Sequence, residues 1–386
     1  MKSVTLYIRE RKYLTALLRN SKFIEQGVDI DKLSHEYIDE ILLQNNIFTK
    51  NGDYKQDNSD VIITDDIDIA KLEKVKPIIF LHATDYNSIT GYINHLKNSL
   101  PASLNDLEYI QKYHSNLYFI APLIIDNPHI IFDLSYTLNY NLYDSKWGNV
   151  HYSARELFSA IERKPYRIDY TVREVKKINR IKLFLDLIKN GISSKLKISI
   201  HGNFIKDKEL NSHVKEFFER NQLIEYFTQI SSLDEIYYSN DSINGEEYSH
   251  QDWPVNKLLN NTLKSDIALY FESGPELKEW RPMDNLITEK TIDLLSIGKP
   301  FIYINDIVKT FNVKYKFIDY NRTIFDEISA DKIELVRIIT NMGDREYTEL
   351  LNSLKEISVK NSVKLEKYKT NNTLLEKIID NSLIIN

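Results

Sequence analysis

Cysteine is absent from all 386 residues, which excludes disulfides, zinc–thiolate centres and thiol nucleophiles. Glycine is scarce, 10 in the whole chain, and no G-x-G-x-x-G, Walker A, H-E-x-x-H or G-x-S-x-G string occurs. The reading therefore turns away from dehydrogenases, P-loop NTPases, zinc proteases and serine hydrolases. No charge of one sign dominates: 50 Lys+Arg against 56 Asp+Glu give a formal net charge of −6, so any polyanion must be held by a local face. No apolar run of about 18 residues occurs, and the opening MKSVTLYIRERKYLTALL is broken by charges. Neither a signal peptide nor a membrane span is expected, and the expected compartment is the cytoplasm, that of the host if the chain is viral.

What is present is the mixture of a globular protein, 42% hydrophobic and 27% charged. A single core stops growing at roughly 250–300 residues, so two domains are expected. Heavy use of Ile, Lys, Asn and Tyr suggests an AT-rich genome. Short apolar runs alternate with helical patterns. In the first half these are Val4 to Ile8, Asp60 to Thr64, Pro77 to Thr84, Asn116 to Ile125 and HIIFDL. In the second they are Tyr166 to Thr171, Lys195 to Asn203, Asp266 to Glu272, Pro300 to Asn305 and Lys316 to Tyr320. Apolar runs of this kind between helix-length spacers predict parallel strands covered on both faces, an α/β class repeated twice. The segment Tyr152 to Pro165 reads as a helix ended by its proline and is the expected interdomain connector. From Ser329 the pattern is helical to the end.

The stretch LITEKTIDLLSIGKPFIYIN carries the most chemistry. It predicts a helix with Thr288 as N-cap, Glu289, Lys290 and Thr291 in its first turn, and Gly298 at its C-terminal cap. A lysine in a first turn opposes the helix dipole, and an anionic ligand at the same end would compensate. The alternative is a solvated turn in which Lys290 pairs with Asp293. Upstream, DIALYFESG ends a strand in Glu272, Ser273 and Gly274, at the carboxyl edge where doubly wound sheets bind ligands. The clearest basic cluster, Glu162 to Lys182, includes Arg173 just past a strand and Arg180 in the following helix. Both suit a diphosphate, the alternatives being a nucleic-acid backbone or a solvated face. His201, in SIHGNF, closes another strand and is either a donor-site residue or structural. In the first domain PIIFLHATDYNS ends in His82, Thr84 and Asp85, and Asp85 first, His82 second, would serve as general base. Plainer roles for these two are a packed histidine and a loop-capping aspartate. ITDDIDIA carries Asp66 and Asp68 at D-x-D spacing, more simply read as capping by Asp65 or Asp66 of the next helix than as a metal site.

The strand, ESG and TEKTIDLLSIGKPFIYI arrangement, over Ser265 to Asn305, resembles nucleotide-sugar glycosyltransferases of the GT-B architecture, including fucosyltransferase-like and phage DNA-modifying members. The strand ending in Thr84 and Asp85 is similar to that near the base of phage DNA glucosyltransferases. The resemblance implies two Rossmann-like domains facing across a cleft, an acceptor domain over 1–160 and a donor-nucleotide domain over 161–345. A helical tail, 346–386, would pack back on the first. It implies that Glu289 holds a ribose or sugar hydroxyl, that Lys290 holds phosphate, and that Thr291 supports them, with Arg173, Arg180, His201, Glu272 and Ser273 around the donor. No metal or cofactor beyond the nucleotide-sugar is then required. The expected acceptor is a hydroxymethylated pyrimidine in phage duplex DNA. A surface glycan or lipopolysaccharide is the alternative, and a non-catalytic nucleotide- or nucleic-acid-binding module the reading from another class.

Overall fold

A computed structural model describes residues 2–25, 28, 30–50, 55, 58–81, 86–97, 106–121, 124, 127–144, 164–172, 178–192, 195–201, 212, 215, 216, 218–220, 222, 224–231, 238, 239, 265–270, 287, 289–304, 307–370, 373–380, 382 and 383. The chain divides into two compact units, Met1–Gly148 with Lys364–Asn386, and Asn149–Val363.

Unit 1 is built on a parallel sheet of six described strands. These are β1 Val4–Tyr7, β2 Ile47–Thr49, β3 Val61–Thr64, β4 Ile78–Phe80, β5 Leu117–Ile120 and β6 Ile130–Ile131. Their spatial order is β2-β1-β3-β4-β5-β6. Every residue of β1, β3, β4 and β5 is buried, as expected of short apolar strands covered on both faces. Strand β2 has no run of its own in the sequence. It forms because Asn46, at φ +58°, turns the chain after the helix His35–Leu43 and passes it alongside β1. On one face Leu14, Leu17 and Leu18 of the helix Arg11–Leu18 pack with Ile38 and Leu42, and with Leu374, Leu375, Ile378 and Ile379. Each such side chain contributes about 1.5–3 kcal/mol by burial. The last four belong to the helix Leu374–Ile379, which opens on a Thr373/Glu376 capping box. Glu376 Oε1 also accepts the Lys22 N–H at 2.5 Å, and Lys377 Nζ reaches the buried Asp133 at 2.5 Å, so the end of the chain is locked into this core.

Unit 2 carries a second parallel sheet, β7 Tyr166–Val172, β8 Lys197–His201, β9 Tyr238–Ser239, β10 Ser265–Tyr270 and β11 Phe301–Tyr303, in the order β11-β10-β7-β8-β9. The first strand of the unit, β7, lies at the centre, and the order reverses between β7 and β10, as in a doubly wound sheet. Unit 1 reverses between β1 and β3. The two parallel α/β sheets agree with the expected class, and helices Lys332–Asn341 and Asp344–Thr370 follow as the sequence pattern indicates.

One expected strand is absent. Lys316 to Tyr320 does not join the sheet, because Asn361 supplies the hydrogen bonds that a neighbouring strand would have given. Its Oδ1 accepts from Ile318 N–H at 2.8 Å and its Nδ2 donates to Ile318 O at 2.9 Å. Lys316 at φ +55° breaks the extended backbone just before, and a π-helical turn at Asn321–Phe325 follows. Asn321 donates to Tyr303 O at 2.8 Å, occupying an edge of β11 that would otherwise be open. The connector expected over Tyr152 to Pro165 lies, except for its last two residues, outside the described residues.

Candidate functional site

The helix Glu289–Ile297 links β10 to β11 and, since these strands are parallel, its first turn stands at the carboxyl edge of the unit 2 sheet. Its far end is fixed as the sequence indicates. Gly298, at φ +71°, donates to Leu295 O at 3.3 Å and Lys299 N–H donates to Leu294 O at 2.9 Å, the paired bonds of a Schellman turn. Thr291 is buried in the first turn, its hydroxyl 3.5 Å from that of Tyr270, the last residue of β10. Glu289 and Lys290 open the helix, and Thr288 lies outside the described residues.

His201 is the last residue of β8, at the same edge and beside β7. Arg180 is the third residue of the helix Ile178–Lys189, which follows β7. Arg173, Glu272 and Ser273 lie outside the described residues; in sequence they follow Val172, the end of β7, and Tyr270, the end of β10, by one, two and three positions. The described backbone thus brings His201 and the Glu289, Lys290 and Thr291 turn to one edge of one sheet, with Arg180 in the first turn of the helix that leaves it.

At the opposite, amino edge of the same sheet lies a charge cluster that sequence reasoning missed. Lys299, fully buried directly after the Schellman turn, donates to the Asp169 carboxylate of β7 and, at 2.8 Å, to the Ser265 hydroxyl of β10, which in turn donates to Asp169. A second pair, Lys164 and Asp266, sits 3.4 Å apart next to it. Tyr347 OH donates to Asp266 Oδ2 at 2.9 Å, and the Arg167 guanidinium lies 4.2 Å from the centroid of that tyrosine ring. Burial pulls the Lys299 and Lys164 ammonium groups down, Lys164 to about 8, against the opposing pull of their aspartates. This cluster ties β7, β10 and the start of β11 together at the end of the sheet away from His201 and the Glu289 turn. Its only sequence signal is a lysine flanked by Gly298 and Pro300 ahead of an apolar strand.

In unit 1, His82 and Asp85 lie outside the described residues, two and five positions past Phe80, the end of β4. The carboxylates around the D-x-D have protein partners. Asp65 accepts the N–H groups of Arg9, at 3.0 and 3.1 Å, and of Glu10, at 2.8 Å. It therefore serves the entry to the helix Arg11–Leu18 and not the helix that follows it in sequence. Asp66 accepts the Asp68 N–H at 3.0 Å and pairs with Arg9 at 2.6 Å. Asp68 bonds to Lys71 at 2.8 Å and His95 at 3.0 Å, which hold its carboxyl below the usual range. Among the described residues no group of three His, Asp or Glu side chains could hold a metal ion. No described helix is long and apolar enough to cross a membrane.

No family model matches the chain, and no curated protein matches it. Among solved structures it is similar to a glycosyltransferase from Rickettsia africae ESF-5, at 14% identity over 98% of each chain with a TM-score of 0.38, a likeness too low to carry any argument. The class the described fold defines is that of doubly wound parallel α/β proteins, whose ligands bind at the carboxyl edge where the strand order reverses.

Proposed function

We propose that the chain is a nucleotide-sugar-dependent glycosyltransferase of the GT-B type, with its donor at the carboxyl edge of the unit 2 sheet. The observation that carries this reading is the opening of the helix Glu289–Ile297 at that edge with Glu289 and Lys290, in the sheet whose order reverses between β7 and β10. The free N–H groups of that terminus and Lys290 favour the donor diphosphate, Glu289 a ribose or sugar hydroxyl, and Arg173 and Arg180 the same phosphates. In the transfer the acceptor oxygen attacks the anomeric carbon and its proton passes to Asp85, with His82 as second choice. The bond from that carbon to the diphosphate breaks, and the nucleoside diphosphate leaves with the electron pair. Lys290 and the arginines stabilise the charge that develops on it, so added chelator is expected to leave turnover unchanged.

The test is thermal shift and product release with a panel of nucleotide-sugars. At least one donor should raise the melting temperature by mass action, and Lys290→Ala should abolish turnover and weaken binding of that donor. No shift with any donor, or full activity in Lys290→Ala, removes the proposal and favours a module that binds other ligands. Acceptor arms of duplex DNA carrying a hydroxymethylated pyrimidine and of surface glycans separate the two acceptor classes. A DNA acceptor requires duplex binding that weakens steeply with salt.

A further inference from the structure

Among the described residues the two most exposed large apolar side chains, Val75 and Leu72 at 86% and 66%, lie in one short segment, KLEKVKP over Lys71 to Pro77. Apolar residues scattered singly over a surface are ordinary; two within four positions, each beside a lysine, are not. The segment links the helix Ile69–Leu72 to β4, so it stands at the amino edge of the unit 1 sheet. Its turn is held from inside. The Glu73 carboxylate is buried and accepts the N–H groups of Val75 at 2.7 Å and Lys76 at 3.0 Å, which directs the local negative charge at the backbone. Asn116, just before β5, donates to Glu73 O at 3.4 Å and to Lys76 O at 2.8 Å. Lys74 Nζ donates to Ala70 O at 3.1 Å and to the His114 ring at 3.2 Å; burial, and then that ammonium charge, hold the imidazole below its usual range.

The bonds of Asn116 and His114 join this turn to its neighbour along the edge, the end of the helix Asp106–Tyr113 ahead of β5. There Tyr113 is 41% exposed, Lys112 Nζ lies 5.3 Å from the centroid of its ring, and Tyr109 packs behind it at 5.0 Å. One end of the unit thus carries three apolar tips, Leu72, Val75 and Tyr113, among Lys71, Lys74, Lys76 and Lys112. Of the acidic groups nearby, Glu73 is turned inward, Asp68 is paired with Lys71 and His95, and Glu108 stands one turn back along the helix from Lys112. The chain as a whole is negative, so a positive end of this kind is built locally. Firmly held apolar tips between cations fit a surface that is anionic on top and apolar beneath. The tips enter the acyl boundary while the ammonium groups stay at the level of the headgroups. A nucleic-acid backbone would engage the lysines and leave Val75 and Leu72 in water.

We propose that the amino edge of unit 1 docks on a bilayer surface rich in anionic lipid, with Val75 and Leu72 as the inserted tips and Tyr113 at the level of the headgroups. The inference is independent of the glycosyltransferase reading, because it uses no residue of the proposed donor site or general base.

The experiment is flotation of the full chain with vesicles of phosphatidylcholine, with and without phosphatidylglycerol. Binding should require the anionic lipid and weaken with added salt. Leu72→Ser combined with Val75→Ser, which keeps every charge, should weaken binding by about tenfold or more, and Lys76→Gln and Lys112→Gln by about fivefold each. Both tips are exposed, so the double serine variant should keep the wild-type melting temperature, which separates lost docking from lost folding. The chain has no cysteine, so a polarity-sensitive dye can be attached at Val75→Cys alone. Its emission should move to the blue on anionic vesicles, whereas the same dye at Val313→Cys, 63% exposed in unit 2, should not respond. No binding to anionic vesicles, equal binding to phosphatidylcholine alone, unchanged binding in the double serine variant, or an equal blue shift at Val313 would overturn the inference. Lys290→Ala should bind vesicles as the wild type does whatever it does to nucleotides, so this inference and the donor reading fail separately.

Discussion

Two lysines, one at each end of a single helix, illustrate how differently one residue type is used in this chain. Lys290, at the start of its helix, opposes the helix dipole, and in the proposed function its anion is the donor diphosphate. Lys299, after the far end of the same helix, has its anion inside the protein, in Asp169. A fully buried ion pair offsets a large desolvation cost only while both partners are present. Lys299→Ala should therefore destabilise the fold by about 3–5 kcal/mol, because Asp169 is left as an uncompensated buried charge. The double replacement Asp169→Leu with Lys299→Met should recover most of that loss. Urea midpoints of the wild type and the two variants check the prediction, and a double variant no better than the single would sink it. None of this is legible in the sequence, since Asp169 and Lys299 lie 130 positions apart.

At the scale of elements, local signals were reliable where a single residue's backbone preference decides the outcome. Gly298 ends its helix in the left-handed region, as a glycine ahead of a Pro-led strand indicates. The space around it is not tight, since an added Cβ would sit 4.0 Å from that of Ser358, so substitution acts through the backbone angle. Gly298→Ala is expected to cost about 1–2 kcal/mol, read as a lowered melting temperature, and an unchanged value would refute this account. Local signals failed where a distant side chain intervened. Lys316 to Tyr320 has the composition of a strand, yet Asn361, 43 positions from Ile318, claims the backbone of that residue. Asn361→Leu should leave those two backbone groups unsatisfied and cost about 2–6 kcal/mol, at about 1–3 kcal/mol per group. A loss below about 0.5 kcal/mol in chemical denaturation would show that the side chain does not hold this segment.

The whole molecule carries the charge cluster of unit 2 into its pH response. The Lys164 ammonium is lowered from 10.5 to about 8, burial being the first cause and the Asp266 carboxylate opposing it. Between pH 8 and about 10 the unfolded chain binds a proton that the folded chain has released, so this group makes stability rise with pH. Above about pH 10 the sign reverses. Burial raises Tyr347 and Tyr320 in the folded protein, Tyr320 to about 12, and the unfolded chain then loses protons that the folded chain keeps. Denaturation across pH 7 to 11 should show an optimum near pH 9–10. Lys164→Met should flatten the rising limb alone; the same rise in that variant would assign it to another group.

The apolar runs and their spacing were enough to determine an α/β chain with parallel strands, because a strand buried on both faces needs an uninterrupted apolar run wherever it lies. The same holds for the helix cap at Gly298, where one φ angle is at stake. Tertiary structure decided what depends on residues remote in sequence. It ordered the strands into two sheets with separate reversals, and it gave Asp65 the helix entry that follows the neighbouring strand. It also placed Asp133 against Lys377 and Asp169 against Lys299. Local preference acts over a few residues, whereas ion pairs and hydrogen bonds depend on distance in space. The sequence could therefore name the charged residues, and only the fold could say which of them are already paired.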